Sequence, residues 1–205
     1  MLKRLFDIFF SLLGLIILAT IFLIIAILIL VDSRGGLFYK QLRVGYNNTD
    51  FKLFKFRTME AGADTKGLIT VGSRDSRVTL IGYYLRKYKI DELPQLFNVL
   101  IGDMSLVGPR PEVRKYVNMY TKNQLRVLSV KPGITDYASI EYSNENEVLG
   151  KVNNPDELYI TEIMPAKLAL NVKYIDEKNT FKDISNISER GNNSIPNRYR
   201  IRYRM

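Results

Sequence analysis

The 205-residue sequence contains no cysteine and no histidine. This excludes zinc sites built on those residues, thiol nucleophiles, disulfides and every mechanism that uses an imidazole base. An enzyme of this composition has to work with Asp, Glu, Ser, Thr, Tyr, Lys or Arg. The metal that suits such residues is a hard ion such as Mg²⁺, bound through oxygen. The lack of cysteine does not identify a cellular compartment.

Acidic residues are also few, with 21 Asp and Glu against 30 Lys and Arg, which gives a net charge of +9. A balance of this kind favours anionic partners such as nucleic acid, acidic lipid surfaces or phosphorylated small molecules. The chain is long enough for one domain with a core plus an appendage.

Charge is absent altogether from Ile8 to Val31, a run of 24 residues. As a helix this run is about 36 Å long, which exceeds the roughly 30 Å hydrocarbon core of a bilayer. The sequence therefore predicts a membrane-embedded helix within residues 1–34. A buried core helix would be shorter, and no small-x-small cleavage site follows the run, as a signal peptide would require.

The topology of this helix has two interpretations. Basic residues flank the run on both sides: Lys3, Arg4, Arg34, Lys40 and Arg43. The positive-inside rule places both ends in the cytoplasm, which suits a re-entrant helix and not a straight span. A re-entrant helix needs a bend, and in the absence of proline the candidates are Gly14 and the pair Ala19-Thr20. From the residues alone, both arrangements stay open.

Two adjacent acids stand in the stretch KIDELPQLFNVLIGDMSLVGPRPE, from Lys89 to Glu112. After Asp91 and Glu92, apolar residues at helical spacing predict an amphipathic helix that ends before Gly102. The acids could cap that helix and complement its dipole, which is worth about 1–2 kcal/mol. Capping alone does not explain two neighbours, because adjacent helical residues do not face each other. A first-turn geometry could instead direct both at one divalent cation.

The pair has basic surroundings. Before it, at the end of a short helix predicted over residues 80–90, stand Arg86, Lys87 and Lys89, and Arg110 follows it. Carboxylates near cations stay ionised and can serve as nucleophile or metal ligand. Pro109 and Pro111 restrict the backbone on both sides of Arg110, and a guanidinium held in this way suits bidentate phosphate recognition. An ordinary surface loop is the alternative.

The remaining segments predict smaller features. Residues 37–59 indicate two short strands around a turn at Gly45–Asp50. The basic residues of the second strand, which include Lys55 and Arg57, indicate either a nucleic-acid surface or, as we favour, a half-buried strand with a solvated basic face. A long polar loop follows. Residues 154–175 predict a helix that Pro165 should interrupt. The Arg-rich end is either a disordered tail or a membrane-surface segment.

Four segments occur in this chain in the order and spacing of the bacterial sugar transferases, the monotopic polyprenol-phosphate phosphoglycosyl transferases: RLFDIFFSLLGLIIL, KFRTM, KIDELPQLFNVLIGDMSLVGPRP and KPGIT. Over about residues 3–180 the chain resembles this family. The resemblance implies an α+β, mostly helical fold. A membrane-embedded re-entrant helix (1–34), amphipathic interfacial helices and a small β-hairpin would surround a compact cytosolic catalytic domain (35–182), with a basic polar tail at 183–205.

The resemblance also implies a reaction. Family members transfer a phosphosugar from a UDP-sugar to polyprenol phosphate, such as undecaprenol phosphate, and release UMP. The Asp that matches Asp91 is the nucleophile and forms a phosphosugar-enzyme intermediate, while the Glu that matches Glu92 helps to hold Mg²⁺. As metal ligands we therefore predict Asp91 and Glu92. The predicted phosphate-binding residues are Arg86, Arg110 with its flanking Pro109 and Pro111, and Lys55 and Arg57 of the KFRTM segment.

The implied partners are a UDP-sugar, polyprenol phosphate and membrane lipid, with no nucleic acid. Downstream glycosyltransferases and a homo-oligomer are further expectations. The implied location is the bacterial inner membrane, with the catalytic domain on the cytosolic face, and the implied pathway is the assembly of a surface glycan such as capsule or exopolysaccharide. An inactive membrane-tethered scaffold and a membrane-anchored nucleic-acid binder are the competing hypotheses.

Three features depart from the family pattern. Ala19-Thr20 stand where the family usually has Ser-Pro, which concerns the angle of the re-entrant helix. Asp136-Tyr137-Ala138 stand where it often has Gly-Trp-Ala, which is consistent with a different sugar. The Arg-rich end beyond about Asp183 differs from the apolar ending expected of the family.

Overall fold

The computed structural model describes residues 2–63, 75–142, 145–150 and 152–176. These residues are mostly helical and include two small two-stranded sheets, so the α+β, mostly helical prediction is confirmed. The predicted basic tail at 183–205 and most of the predicted polar loop lie outside the described residues. The domain boundaries at 34 and 182 stay predictions.

Strands and helices alternate irregularly along the chain. The strands are β1 (Phe38–Val44), β2 (Asp50–Phe56), β3 (Ser105–Val107) and β4 (Gly133–Thr135). The α-helices are α1 (Leu2–Asp32), α2 (Leu80–Lys87), α3 (Gln95–Ile101), α4 (Arg114–Val117), α5 (Tyr137–Glu141), α6 (Glu145–Leu149), α7 (Pro155–Leu158) and α8 (Met164–Asp176). Short 3₁₀ turns lie at Tyr46–Asn48, Ile90–Glu92 and Gln124–Ser129, and a π-helical turn lies at Tyr159–Ile163.

Helix α1 is continuous over 31 residues and passes through Gly14, Ala19 and Thr20 without a break. By length and composition it could cross a membrane, although core helices and signal sequences can meet the same criterion. Its buried residues, Asp7, Ser11, Ile25 and Ile29, recur at multiples of three to four positions. One face of α1 is therefore covered by the rest of the protein near its start and near its end.

The opposite face of α1 is apolar and exposed. Its exposed side chains include Leu5, Phe9, Leu12, Ile16, Ile17, Leu23, Ile24, Ile27 and Val31. An apolar surface of this extent marks contact with a membrane or another protein.

The start of α1 is held by polar contacts. The Arg4 guanidinium donates to the carbonyl oxygens of Val99 and Leu100, at 2.6 and 2.9 Å, in the last turn of α3. The Asp7 carboxylate accepts from the Leu106 backbone N–H at 3.0 Å and from the Ser105 hydroxyl at 3.1 Å, both in β3. These contacts satisfy groups that would be costly in a membrane without partners.

The end of α1 contacts the same globular part. The Asp32 carboxylate accepts from the Ile81 N–H of α2 at 2.9 Å. The Arg57 guanidinium, which follows β2, donates to the Ser33 carbonyl oxygen at 2.8 Å. The nearby Gly35 has a φ of 132°, and a Cβ there would lie 1.9 Å from the Arg57 guanidinium, so only glycine fits. Both ends of the apolar helix are thus tied to one body.

Strands β1 and β2 form the predicted antiparallel hairpin, with Phe38 opposite Phe56 and Val44 opposite Asp50. Asn47 and Asn48 adopt positive φ angles of 52° and 61° in the turn, as Asn tolerates better than most residues. The helix predicted near residues 154–175 forms as α7, the π turn and α8. Pro165 does not interrupt it, because the π turn directly before Pro165 changes the hydrogen-bonding pattern that its missing N–H would disturb.

The described residues form three apolar clusters. One joins Ile25 and Ile29 of α1 to Phe56 and Leu85, with Ile90 and Leu93 packed beside them. A second contains Leu53, Val99 and Met104. The third joins Tyr159, Ile163 and Leu168 of the C-terminal helices to Tyr116 of α4 and Val127. The first cluster fixes the short segment that carries the two adjacent acids.

Candidate active site

Asp91 and Glu92 lie in the 3₁₀ turn between α2 and α3. Lys89 turns the chain with left-handed angles (φ 58°, ψ 20°), a conformation that costs a non-glycine residue about 1–2 kcal/mol. Strained backbone of this kind is often found at functional sites. The N-cap of α3 is Pro94, and no side chain caps it. The alternative interpretation of the acids as a cap of α3 is therefore wrong.

Glu92 is the centre of an ion-pair cluster and is only 8% exposed. Its carboxylate accepts from both terminal nitrogens of Arg110, with Nη1 at 3.1 Å from Oε2 and Nη2 in contact with Oε1. Lys55 Nζ lies 3.2 Å from Oε1. Burial opposes ionisation of Glu92, but Arg110 and Lys55 outweigh it and hold the Glu92 pKa well below its usual range.

Asp91 is equally buried, at 7% exposure, but differently surrounded. No hydrogen bond reaches its carboxylate from any residue that the structure describes. Burial raises the Asp91 pKa, and the neighbouring Glu92 adds to this, while Lys55, Arg86 and Lys89 act in the opposite direction. A carboxylate that has no hydrogen-bond partner, and whose charge nearby cations only partly balance, is free to react or to bind a ligand.

Arg86, in the last turn of α2, acts on Asp91 by charge. Its Nε donates to the Thr58 hydroxyl at 2.9 Å, which orients the guanidinium. Burial lowers the Arg86 pKa, while the charge of Asp91 raises it. The structure thus brings together five of the predicted residues: Lys55, Arg86, Asp91, Glu92 and Arg110.

Arg57 points elsewhere. It is 9% exposed, and its guanidinium donates to the Ser33 carbonyl and hydroxyl oxygens at the end of α1. The interpretation of a solvated basic face on this strand is wrong for Lys55 and Arg57, because one is paired with Glu92 and the other is buried against Ser33. A nucleic-acid surface loses support for the same reason.

The loop that carries Arg110 begins where β3 ends. The Gly108 N–H donates to the Thr135 carbonyl oxygen at 3.1 Å, and the Gly133 N–H donates to the Pro109 carbonyl oxygen at 3.0 Å. Backbones approach so closely at this point that a Cβ on Gly133 would lie 2.1 Å from the Gly108 nitrogen. Pro109 and Pro111 flank Arg110 on this packed loop, as the predicted role in holding it requires.

Two features of the site were missed by sequence reasoning. The Asp136 carboxylate accepts from the Arg110 backbone N–H at 3.2 Å, and the Thr58 hydroxyl binds Arg86. Asp136 also caps α5. An Asp directly after a strand signal and before a helix is a recognisable N-cap pattern, which could have identified it.

The two acids are suitable ligands for Mg²⁺, which prefers carboxylate oxygen and usually keeps water and substrate phosphate as its other ligands. Among the described residues, no group of three or more Asp and Glu side chains could hold a metal ion, and the two carboxylates of the dyad are the candidate ligands. Asp91 has its oxygens available, whereas those of Glu92 contact Arg110 and Lys55. This donor set fits an ion shared with a phosphorylated substrate.

The sequence model of the bacterial sugar transferase family matches residues 1–192, and the chain belongs to that family. Over 177 residues it is 37% identical to the UDP-glucose:undecaprenyl-phosphate glucose-1-phosphate transferase of Klebsiella pneumoniae. Over 141 residues it is 40% identical to the UDP-N-acetylgalactosamine-undecaprenyl-phosphate N-acetylgalactosaminephosphotransferase of Aeromonas hydrophila. Over 203 residues it is 32% identical to the exopolysaccharide production protein ExoY of Rhizobium meliloti (strain 1021).

These alignments differ in coverage. They include 84%, 67% and 90% of this chain, respectively. They include 38% of the Klebsiella protein, 33% of the Aeromonas protein and 81% of ExoY. The chain therefore spans about a third of the Klebsiella and Aeromonas proteins and most of ExoY.

Proposed function

We propose that this protein transfers a phosphosugar from a UDP-sugar to polyprenol phosphate, giving polyprenyl-diphospho-sugar and UMP. The observation that carries the proposal is the division between the two acids: Glu92 holds the cations, while the Asp91 carboxylate has no hydrogen-bond partner among the described residues. Two relatives are named as transferases that use a UDP-sugar and undecaprenyl phosphate. A surface glycan such as an exopolysaccharide is the proposed end product of the pathway.

The proposed chemistry has two displacements at one phosphorus. A carboxylate oxygen of Asp91 attacks the phosphorus attached to the sugar, the bond from that phosphorus to the bridging oxygen breaks, and UMP leaves with that oxygen. An oxygen of polyprenol phosphate then attacks the same phosphorus and displaces Asp91, which regains its carboxylate. Splitting a transfer into two such steps is the general advantage of a covalent intermediate.

The basic residues around the dyad stabilise charge in both steps. Arg110 uses two of its five N–H donors on Glu92 and keeps the others for phosphate oxygens. Arg86 and Lys55 add positive charge beside Asp91. Phosphoryl transfer depends mainly on such positioning and charge neutralisation. Arg57, because it is bound to Ser33, acts at most through the position of β2 and α1.

Mg²⁺ is the proposed cofactor, and Asp91 and Glu92 would hold it. When bound, it would neutralise charge on the phosphoryl oxygens. Oε2 of Glu92 has one contact, with Arg110 Nη1, and so keeps a lone pair for a metal ion.

We further propose that α1 is embedded in the cytosolic leaflet of the inner membrane with both ends on the cytosolic side. Because no break interrupts it, α1 would lie along that leaflet and not turn back inside the bilayer. Arg4 and Asp7 at its start and Asp32 at its end all bind the globular part, which supports one side for both ends. A straight crossing would draw part of that globular body into the bilayer. Downstream glycosyltransferase partners and a homo-oligomer stay predictions.

Release of UMP tests the reaction. Detergent-solubilised protein with Mg²⁺ and undecaprenol phosphate is incubated with a panel of UDP-sugars, and UMP is measured. We expect one or a few donors to give UMP that disappears with EDTA and in Asp91→Asn. Asp156→Asn, the same change at an exposed acid in α7, is the matched control and should retain activity. No UMP with any donor, or full activity in Asp91→Asn, would contradict the proposal.

The absence of cysteine permits a direct test of topology. Single-cysteine variants Leu2→Cys and Ser129→Cys place one thiol at the start of α1 and one on the globular part, both at exposed positions. In intact cells and in inverted vesicles, a membrane-impermeant maleimide should label both thiols from the same side. Labelling from opposite sides would show a spanning helix.

A further inference from the structure

The C-terminal ends of β3 and β4 meet beside the active site. The two strands are parallel, with Ser105 opposite Gly133 and Val107 opposite Thr135. Their ends therefore lie at one edge of the sheet. The chain leaving β3 continues to Arg110, and the chain leaving β4 continues to Asp136, which is 1% exposed.

The two oxygens of Asp136 have separate roles. Oδ1 accepts from the Ser139 N–H at 2.7 Å and caps α5. Oδ2 accepts from the Arg110 N–H at 3.2 Å. The backbone bonds from Gly108 to β4 end at Thr135, where the chain turns into α5. The Asp136 side chain thus supplies one more hydrogen-bond acceptor for the Arg110 loop, just beyond the last backbone hydrogen bond between β3 and β4.

Arg110 depends on this acceptor more than an ordinary loop residue would. Proline has no N–H, so the Arg110 N–H is the only backbone donor between Pro109 and Pro111. A buried carboxylate that accepts a backbone N–H makes a charge-assisted bond, which is stronger than a neutral one. The negative charge of Asp136 also adds to that of Glu92 in raising the Arg110 pKa.

We propose that Asp136 is a positioning residue, which holds the Arg110 backbone so that the guanidinium lies between Glu92 and the donor phosphate. The proposal rests on the function proposed above and deepens it, because it assigns part of the phosphate-binding geometry to a residue outside the dyad. Asp136 itself touches no substrate in this scheme. A displacement of about 1 Å at such a contact can reduce a rate substantially.

Asp136→Ser separates the two roles of the carboxylate. A serine hydroxyl still caps α5, because Ser is as good an N-cap as Asp, but it leaves no second oxygen for Arg110. We expect kcat/KM for the UDP-sugar to fall about tenfold, mainly through a higher KM, with little change in Tm. Asn154→Ala is the control, because it removes a comparable side-chain cap from α7. It should lower Tm without raising the donor KM.

A double-mutant cycle shows whether Asp136 acts through Arg110. In the Arg110→Ala background, Asp136→Ser should cause no further loss of kcat/KM, because no guanidinium is left to position. An equal loss in both backgrounds would overturn the proposal and reduce Asp136 to a structural role.

A second measurement does not require turnover. Amide hydrogen exchange of the Arg110 N–H should be about tenfold faster in Asp136→Ser than in the wild type, since its acceptor is lost. Unchanged exchange would overturn the proposal whatever the activity. If the wild-type protein released no UMP from any donor, the proposed reaction would fail, and the exchange measurement would still decide whether Asp136 holds this loop.

Discussion

The Asp91 side and the Glu92 side of the site differ sharply, although the two acids are adjacent and equally buried. On one side, Arg110 and Lys55 occupy both oxygens of Glu92, and their charges outweigh burial to lower its pKa. On the other side, burial dominates and raises the Asp91 pKa. Environments that separate the pKa values of two acids in this way assign them different tasks. Glu92 binds the two cations, and Asp91 is the acid that we propose to react.

The largest expected effect follows from the loss of Asp91, the proposed nucleophile. With a UDP-sugar but no polyprenol phosphate, wild-type enzyme should release a burst of UMP of about one equivalent and then stop. Asp91→Asn should lack this burst, with turnover lowered by about 10³-fold or more. Glu92→Gln should keep a slower burst, because the attacking carboxylate remains. Rapid-quench measurement of UMP shows whether each variant has a burst. Equal burst amplitudes in Asp91→Asn and Glu92→Gln would contradict the different roles assigned to the two acids.

For stability, the order of the two variants should be reversed: Glu92→Gln should destabilise the protein more than Asp91→Asn. Glu92→Gln leaves Arg110 and Lys55 without their common anion, so it should lower the free energy of unfolding by about 2 kcal/mol. This is below the cost for a fully buried pair, because the Arg110 side chain is 31% exposed. Urea unfolding in detergent measures the change. The control Asp156→Asn removes a surface pair and should cost less than about 1 kcal/mol.

The local fold around the site is largely readable from the sequence. Apolar residues at helical spacing predict α3, and Gly102 ends it in the left-handed conformation, with a φ of 102°. The Asn-rich turn predicts the β1–β2 hairpin. Periodicity and turn chemistry are local, so a single sequence carries them. The start of α3 was less predictable, because it has a 3₁₀ turn and a proline N-cap where one interpretation of the sequence placed a capping acid.

The partners within the site are not readable in the same way. Lys55 is 37 positions from Glu92 in the sequence, and Arg110 is 18 positions from it. Asp7 and Leu106, which share a hydrogen bond, are 99 positions apart. Such pairings depend on the tertiary fold. The family resemblance named five residues that the structure brings together, but it did not indicate which acid would pair with the cations. It also grouped Arg57 with them, and that side chain is directed to α1.

A smaller effect on stability is expected from Asp91, because a buried ionised carboxylate lowers the free energy of unfolding. Because its folded-state pKa is raised, Asp91 contributes stability below its unfolded pKa and loses that contribution as pH rises through the folded value. Asp91→Asn should therefore stabilise the protein by about 1 kcal/mol near pH 7, and the gain should shrink in acid. Tm of both proteins from pH 3 to 8 measures this. A gain that did not depend on pH would point to packing instead of charge.

The pKa of Glu92 predicts the reverse trend. A lowered folded-state pKa gives stability that is present above the unfolded value and lost as pH falls through the folded one. The difference in Tm between wild type and Glu92→Gln should therefore be largest near neutral pH and decline in strong acid. The same pH series provides the data, and parallel curves for the two acid variants would contradict the assigned environments.

The smallest effect on stability is expected at Lys89, the residue directly before the turn that carries Asp91 and Glu92. Lys89 turns the chain with a positive φ, and glycine would adopt that conformation without strain. Because glycine also costs entropy on folding, Lys89→Gly should raise the free energy of unfolding by only about 0.5 kcal/mol. Lys89→Ala removes the same charge but keeps the strain, so it is the matched control. If turnover falls equally in both variants, then the Lys89 charge contributes to activity at Asp91 and Glu92. If only the glycine variant gains stability, then the left-handed conformation of Lys89 lowers the stability of the wild type independently of that charge.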